Sequence, residues 1–253
     1  MGQCNLSFHF RDHDDIHIDH VAGINVRYQF PAHIHQSLCI GIIIRGQRLI
    51  RWNDHTCCFE EGDIFIIHPD EPHAIESVGP HDYIACNIKG IPENIRYNHK
   101  IQSEDCKKLF LQLHEAIREN HPDVAGCWSR LYSYLNEKQK TAHSAVIHSR
   151  IDQALKFIRN HYHEPISIAD IAHSVYMSKF HFCHIFKSET GLAPHHYLLQ
   201  YRLSRAHTSL QCKNSVFDAA IGSGFYDSSH FIRTFQSNMA VTPKEYQNSV
   251  LRK

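Results

Sequence analysis

The sequence predicts an α+β, multidomain chain, with a β-barrel in the amino-terminal half, helices trailing it, and an all-α bundle in the carboxy-terminal half. Three observations predict this. Residues 167–186 and 215–235 are two imperfect copies of one helix-turn-helix pattern: Asp170 and Ala172 match Asp218 and Ala220 at an offset of 48, and His181, Phe182 and Phe186 match His230, Phe231 and Phe235 at 49. A repeat at fixed offset marks a duplicated unit, and the one-residue slip falls in the turn, where insertion is cheapest. The first hundred residues, by contrast, read as short apolar runs separated by Gly, Pro and Asp, the pattern of a sandwich or small barrel. Finally, a formal net charge of zero conceals a division: residues 1–145 carry 14 Lys+Arg against 19 Asp+Glu, and residues 146–253 carry 12 against 7. An acidic half joined to a basic one suits a nucleic-acid-binding module tethered to a module of another kind.

At 253 residues there is room for two cores. No apolar stretch approaches the length of a membrane span, and Leu38 to Ile44 reads as a buried strand. Arg11, Asp12, Asp14 and Asp15 precede any apolar run, so no signal peptide is expected. Nine cysteines in irregular spacing suit reduced thiols. The expected location is cytoplasmic, with no membrane partner. Among 24 histidines most are expected to be surface or core groups, though their number makes pH or metal sensitivity worth testing.

Along the chain, strands are expected at Val21 to Phe30 (ending at Pro31), Ile40 to Ile44, Arg48 to Trp52, Asp63 to Ile67 and Tyr83 to Ile88. The period then becomes helical. Leu109, Leu113, Ala116 and Ile117 follow Ser103, a suitable N-cap, and Trp128, Leu131, Tyr132 and Leu135 mark a second amphipathic helix after Pro122. Core packing explains both helices, and a dimer interface is the alternative. The division expected is 1–100 for the effector-binding barrel, 101–144 for a helical dimerisation and linker region, and 145–253 for the DNA-binding domain, with the linker at Lys138 to Ser144. From there Ile151, Leu155 and Ile158 form one stripe. A long helix from His196 to Leu210 turns Leu199, Leu203, Ala206 and Leu210 inward and Arg202 and Arg205 outward, and Pro243 opens a last short helix.

In the first repeat Ile168, Ile171, Ala172 and Val175 form a helical face, and Ser178 is placed to cap the next helix. Phe182, Ile185 and Phe186 face inward, leaving Lys179, Phe180, Cys183, His184 and Lys187 on or near the outer side. In the second, Val216, Ala219 and Ala220 are internal, Gly224 permits the turn, Asp227 or Ser228 caps, and Phe231 and Phe235 pack inward. Ser228, Ser229, Ile232, Arg233 and Gln236 then lie outside. The outer face of the second helix of such a unit enters the DNA major groove, where Arg donates to guanine or phosphate and Ser, His or Gln bond base edges or backbone.

MSKFHFCHIFKSETGLAPHHYLLQYRLSRA, with GSGFYDSSHFIRTFQSNMAVTPKEY after it, resembles the DNA-binding domain of the AraC family of bacterial transcriptional regulators over roughly residues 147–250. The resemblance implies seven helices, the long middle one holding the two readers about one DNA turn apart, with double-stranded promoter DNA and RNA polymerase as partners, most often in activation, and a homodimer. Gln236 stands where the family is usually basic, Ala240 where it has glycine, Gln247 where arginine is common, and His184 where arginine often sits.

In the amino-terminal half, Pro31-Ala-His33-Ile-His35 and the segment from Gly62 through Pro69 to His73 resemble the two motifs of a cupin-type barrel, the ligand-binding half of many such regulators. His33 and His35 alternate on one strand and so point to one side, and Ser37 and Cys39 join them if the strand continues. In metal-binding cupins two such histidines, a glutamate shortly after and a later histidine hold the ion. Here Cys39 falls near the glutamate's place and His73 fits the later histidine, so the resemblance makes His33, His35, Cys39 and His73 the candidate effector-binding residues and the candidate metal ligands. No cofactor is required, but imidazole with thiolate would favour zinc, nickel, cobalt or copper. An organic-ligand pocket lined by the same residues is the simpler reading. The alternative of a cupin metalloprotein or enzyme with a helical tail lacks the carboxylate of a two-His-one-carboxylate set. No catalytic residues are assigned, and the chain is not expected to be an enzyme.

Overall fold

A computed structural model describes residues 5–13, 16–53, 55–91, 95–141 and 149–251. Nine strands open the fold: β1 (Asn5–His13), β2 (Ile16–Val26), β3 (Phe30–His33), β4 (Leu38–Arg45), β5 (Gln47–Arg51), β6 (Thr56–Glu60), β7 (Ile64–Ile67), β8 (His73–Ser77) and β9 (His81–Ile88). Two-residue strands β10 (Arg96–Tyr97), β11 (Lys100–Ile101) and β12 (Lys140–Thr141) flank the helices α1 (Glu104–Arg118) and α2 (Val124–Lys138). Seven further helices complete it, in agreement with the family resemblance: α3 (Ser149–His161), α4 (Ile168–Ser174), α5 (Lys179–Thr190), α6 (Pro194–Gln211), α7 (Val216–Gly222), α8 (Ser228–Met239) and α9 (Pro243–Leu251). Of the expected linker, residues 142–144 lie outside the described residues.

The strands form a six-stranded sheet, ordered β1-β2-β9-β4-β7-β11, and a four-stranded sheet, ordered β3-β8-β5-β6. The six-stranded sheet is buried on both faces, which is why β4 and β7 read as near-continuous isoleucine. Its inner face sends Val21, Cys39, Ile43, Phe65, Tyr83 and Ala85 toward Ile50 and Phe59 of the other sheet. Its outer face sends Ile18, Ile40, Ile42, Ile64, Ile66 and Ile88 into a second core with Phe110, Leu113, Trp128 and Leu131 of α1 and α2. The middle helices are therefore core elements on that side. Ser103 caps α1 as expected, its side chain accepting from the Cys106 N–H.

One strand departs from expectation. The run from Val21 does not reach Phe30. It stops at Val26, and β3 begins at Phe30 with Pro31 inside it. Proline is tolerated because β3 is an edge strand, where a missing N–H costs no ladder bond.

Between the sheets lies a buried cation. Arg48 is 2% exposed, its guanidinium 3.7 Å from the centre of the Tyr83 ring. Its Nε donates to Nε2 of the fully buried His81 (3.1 Å), whose Nδ1 donates to the Gly79 carbonyl. Burial, and then the Arg48 charge, push the His81 pKa from 6.5 down to about 4.

In the helical half the two repeats superimpose bond for bond through their turns. Tyr176 N–H donates to His173 O and Met177 N–H to Ala172 O; Gly224 N–H donates to Ile221 O and Phe225 N–H to Ala220 O. Tyr176 and Gly224 are thus equivalent, and both have positive φ (57° and 83°). Ser178 and Asp227 are the equivalent caps, accepting from the His181 and His230 N–H groups. Tyr226, almost wholly exposed, is therefore the inserted residue. Glycine is required in the second turn for a further reason: a Cβ on Gly224 would lie 2.5 Å from the Tyr162 carbonyl oxygen. That carbonyl also accepts from Arg202 Nε (2.7 Å), so Arg202, expected to point outward, instead ties α6 to the end of α3.

Two outcomes are expected. Gly224→Ala should cost about 1–3 kcal/mol or more, seen as a lowered Tm, through strain and contact with backbone. A histidine with depressed folded pKa contributes stability that is full above pH 6.5 and is lost as pH falls toward 4. His81→Gln, which takes up no proton, should therefore flatten the acid limb of denaturant-measured stability near pH 5 by up to about 1.4 kcal/mol per pH unit.

Candidate effector cavity and nucleic-acid interface

A cavity of about 1160 Å³, including its open part, lies between the inner sheet faces and the helical half. Phe30, Phe65, Ile67, Ile75 and Tyr83 give it apolar walls, and His33, His35, His73, Cys39 and Arg48 give it polar chemistry. Leu203, Ser204 and His207 of α6 and Phe235, Asn238 and Met239 of α8 close it. The second reading helix is thus part of the cavity wall.

The structure brings together three of the four histidine and cysteine candidates. His33, His35 and His73 each have a ligand atom within 4.8 Å of the others. β3 ends at His33, so His35 reaches the group from beyond the strand, and the expected continuation to Ser37 and Cys39 does not occur. Cys39 is on β4 and lines the same cavity outside the triad. Burial pushes its thiol up to about 12, so it stays protonated.

Each imidazole is oriented by a backbone carbonyl: His33 Nδ1 lies 2.8 Å from Pro31 O, His35 Nδ1 3.3 Å from Ser37 O, and His73 Nδ1 2.9 Å from Glu71 O. Donation from Nδ1 leaves the three Nε2 lone pairs free, and His73 Nε2 is buried with no partner. Burial first, and mutual repulsion next, hold His33 at about 4, with His35 lowered mainly by burial and His73 well below the usual histidine value. All three are neutral near pH 7.

Ile34, between His33 and His35, joins a different core: that of the first helix-turn-helix unit, with Ile151, Phe186, Leu192 and Tyr197. His73 opens β8, directly after a loop that holds Asp70, whose carboxylate pairs with Arg159 of α3 at 2.6 Å. Glu71 in that loop accepts from His68 and His99; burial would raise its pKa, but those two bonds draw it far below the usual range. Sequence reasoning missed this second cluster. Its His68 Nε2 already accepts from the Tyr97 N–H (2.9 Å), so that ring offers no lone pair to an ion.

At the far end of the cavity a polar group joins the halves. Lys89 donates to Thr208 Oγ1 (3.0 Å) and Gln211 Oε1 (2.9 Å) of α6, and Tyr246 OH of α9 donates to Asp19 (3.3 Å). Burial raises the Asp19 carboxyl to about 7 against the opposing pull of Lys89.

On the opposite side, the expected DNA-reading residues are outside. Lys179, Phe180, His184 and Lys187 on α5 and Ser229, Arg233 and Gln236 on α8 are exposed, while Cys183 and Ser228 are half-buried. Phe182, Phe186, Phe231 and Phe235 are fully buried beneath them. The barrel touches each reading helix near its C-terminal end: Asn53 Nδ2 donates to Ser188 O (3.3 Å), and Tyr28 OH donates to Ser237 O. Among the described residues, the outer faces of α5 and α8 stay exposed.

Residues 16–155 match the AraC-like ligand binding domain model, and residues 171–249 match that of a helix-turn-helix domain. The uncharacterized HTH-type transcriptional regulator YbfI of Bacillus subtilis is 24% identical over 250 residues, covering 85% of this chain and 86% of that protein. The HTH-type transcriptional activator RhaR of Yersinia pestis is 27% identical over 252 residues, covering 88% and 86%. The crystal structure of ToxT from Vibrio cholerae O395 shares the fold over 95% of this chain and 100% of that one, with a TM-score of 0.63 and 12% identity. With both halves matched, the ligand-binding model covering more than half of the chain, the chain belongs to the AraC family of transcriptional regulators.

Proposed function

We propose that this chain is an effector-responsive transcriptional activator that binds promoter DNA through α5 and α8 and takes its effector in the cavity between the sheets. The observation that carries this reading is the shared wall: Phe235, Asn238 and Met239 of the second reading helix border the same space as His33, His35 and His73. A ligand there contacts α8 directly and, through Ile34, bears on the first unit as well. Its binding energy can then differ between placements of the two readers, which is what linkage demands of an effector. The name of the RhaR relative supports activation over repression. Recruitment of RNA polymerase, a homodimer formed through the middle helices, and action in the cytoplasm belong to the same proposal.

DNA contact is assigned to Lys179, Phe180, Cys183, His184 and Lys187 on α5 and to Ser228, Ser229, Arg233 and Gln236 on α8. Arg233→Ala and His184→Ala should each weaken specific promoter binding by about 1–3 kcal/mol with Tm unchanged. Mobility-shift titrations on the promoter adjoining the gene read this, and unchanged affinity in both variants removes the assignment.

A second reading makes the effector a transition metal: zinc, nickel, cobalt or copper. It is supported by the three oriented Nε2 lone pairs of His33, His35 and His73, neutral near pH 7. Cys39 then lines the cavity without ligating. Protein purified without chelator should carry about one metal per chain by elemental mass spectrometry, lost in the His33→Ala, His35→Ala double variant. Metal-free wild-type protein with an intact promoter response leaves the organic effector.

A further inference from the structure

We propose that the effector is a small organic carboxylate whose charged group is held by Arg48. The inference rests on reading the cavity as the effector site, and it adds the chemical class of the ligand and the residue that selects it.

A buried guanidinium normally has an anion beside it, because an isolated charge inside a protein is strongly disfavoured. Arg48 has none among the described residues. Its one hydrogen bond goes from Nε to the neutral His81, its guanidinium lies over the Tyr83 ring, and its Nη2 is buried without any partner. Arg48 also lines the cavity. Two other charged side chains line the cavity, and both are already engaged: the Lys89 ammonium donates to Thr208 and Gln211, and the Asp19 carboxyl accepts from Tyr246. Of the two cations lining the cavity, Arg48 is therefore the one with an unused buried donor, and its planar face is already covered by an aromatic ring.

A carboxylate answers each of these features. It supplies the missing acceptor to Nη2 in a charge-assisted hydrogen bond and neutralises the buried charge. Its remaining oxygen can accept nothing from the triad, whose Nε2 atoms are lone pairs, so the histidines instead take a hydroxyl or N–H donor elsewhere on the same molecule. Phe65, Ile67 and Ile75 suit an apolar body between the two polar ends. The class is thus a carboxylic acid with an apolar body and, farther along, a hydrogen-bond donor.

The test uses full-length protein in chelator, titrated calorimetrically with benzoate and 4-hydroxybenzoate against benzamide, 4-hydroxybenzamide and phenyl phosphate. Wild-type protein should prefer each carboxylate over its amide by about tenfold or more, the worth of a charge-assisted bond to a buried group. Arg48→Met should erase that preference while leaving amide affinity within about twofold. Equal binding of acids and amides by wild type overturns the proposal, as does a preference for phenyl phosphate, or acid selectivity that persists in Arg48→Met. Should Arg48→Met fail to fold, Arg48→Lys is used: it should keep a weakened acid preference, and full retention or complete loss of binding to all probes counts against Arg48 as the anchor. Promoter binding is measured in parallel. Intact promoter binding without acid selectivity sinks this inference alone, whereas absent promoter binding sinks the regulator reading.

Discussion

The arrangement depends on the packing of the helical half against the open edge of the sensor. Phe235 belongs at once to the core of the second helix-turn-helix unit, to the apolar cluster that continues between the sheets, and to the cavity wall. Ile34 does the corresponding work for the first unit. Because protein interiors are close-packed, a change of volume or hydration in the cavity must be accommodated by these two contacts or by the strands opposite them. The polar ties around this seam, Asp70 with Arg159 and Lys89 with α6, fix its register.

Much of this was legible in the sequence for a physical reason. Helix periodicity, N-caps and duplicated aromatic positions are local properties, so the helical units, their buried phenylalanines and their outward residues could be read without coordinates. Ser178 and Ser103 cap as their spacing implied. Strands buried on both faces, such as β4 and β7, also declare themselves by composition. Short half-polar strands did not: β6, with sequence TCCFE, and β8, with HAIES, carry no clear alternation and are defined by their partners.

The sensor site was legible in its residues more than in its geometry. His33, His35 and His73 could be picked out because their segments resemble the two cupin motifs, yet the idea of one continuous strand carrying Cys39 failed at residue 34. Arg48 was invisible as a functional residue. Within an alternating run it looks like an ordinary exposed arginine, and only the fold reveals that its side of β5 faces the inter-sheet space. The imidazole–carboxylate cluster of His68, Glu71 and His99 likewise joins residues about thirty positions apart, a separation that no local pattern encodes.

The placement of contacts along the two reading helices has a mechanical consequence. An α-helix is stiff over twelve residues, so each behaves as a short rod gripped near its tail, by Asn53 at Ser188 and by Tyr28 at Ser237, with its nose at Lys179 or Ser228 left clear. The grip sits at the tail, beside Lys187 and Gln236, while most of the proposed DNA contacts lie nearer the nose. On the proposed reading, a displacement of the barrel is passed to each helix at its tail and carried as a rigid movement to its nose.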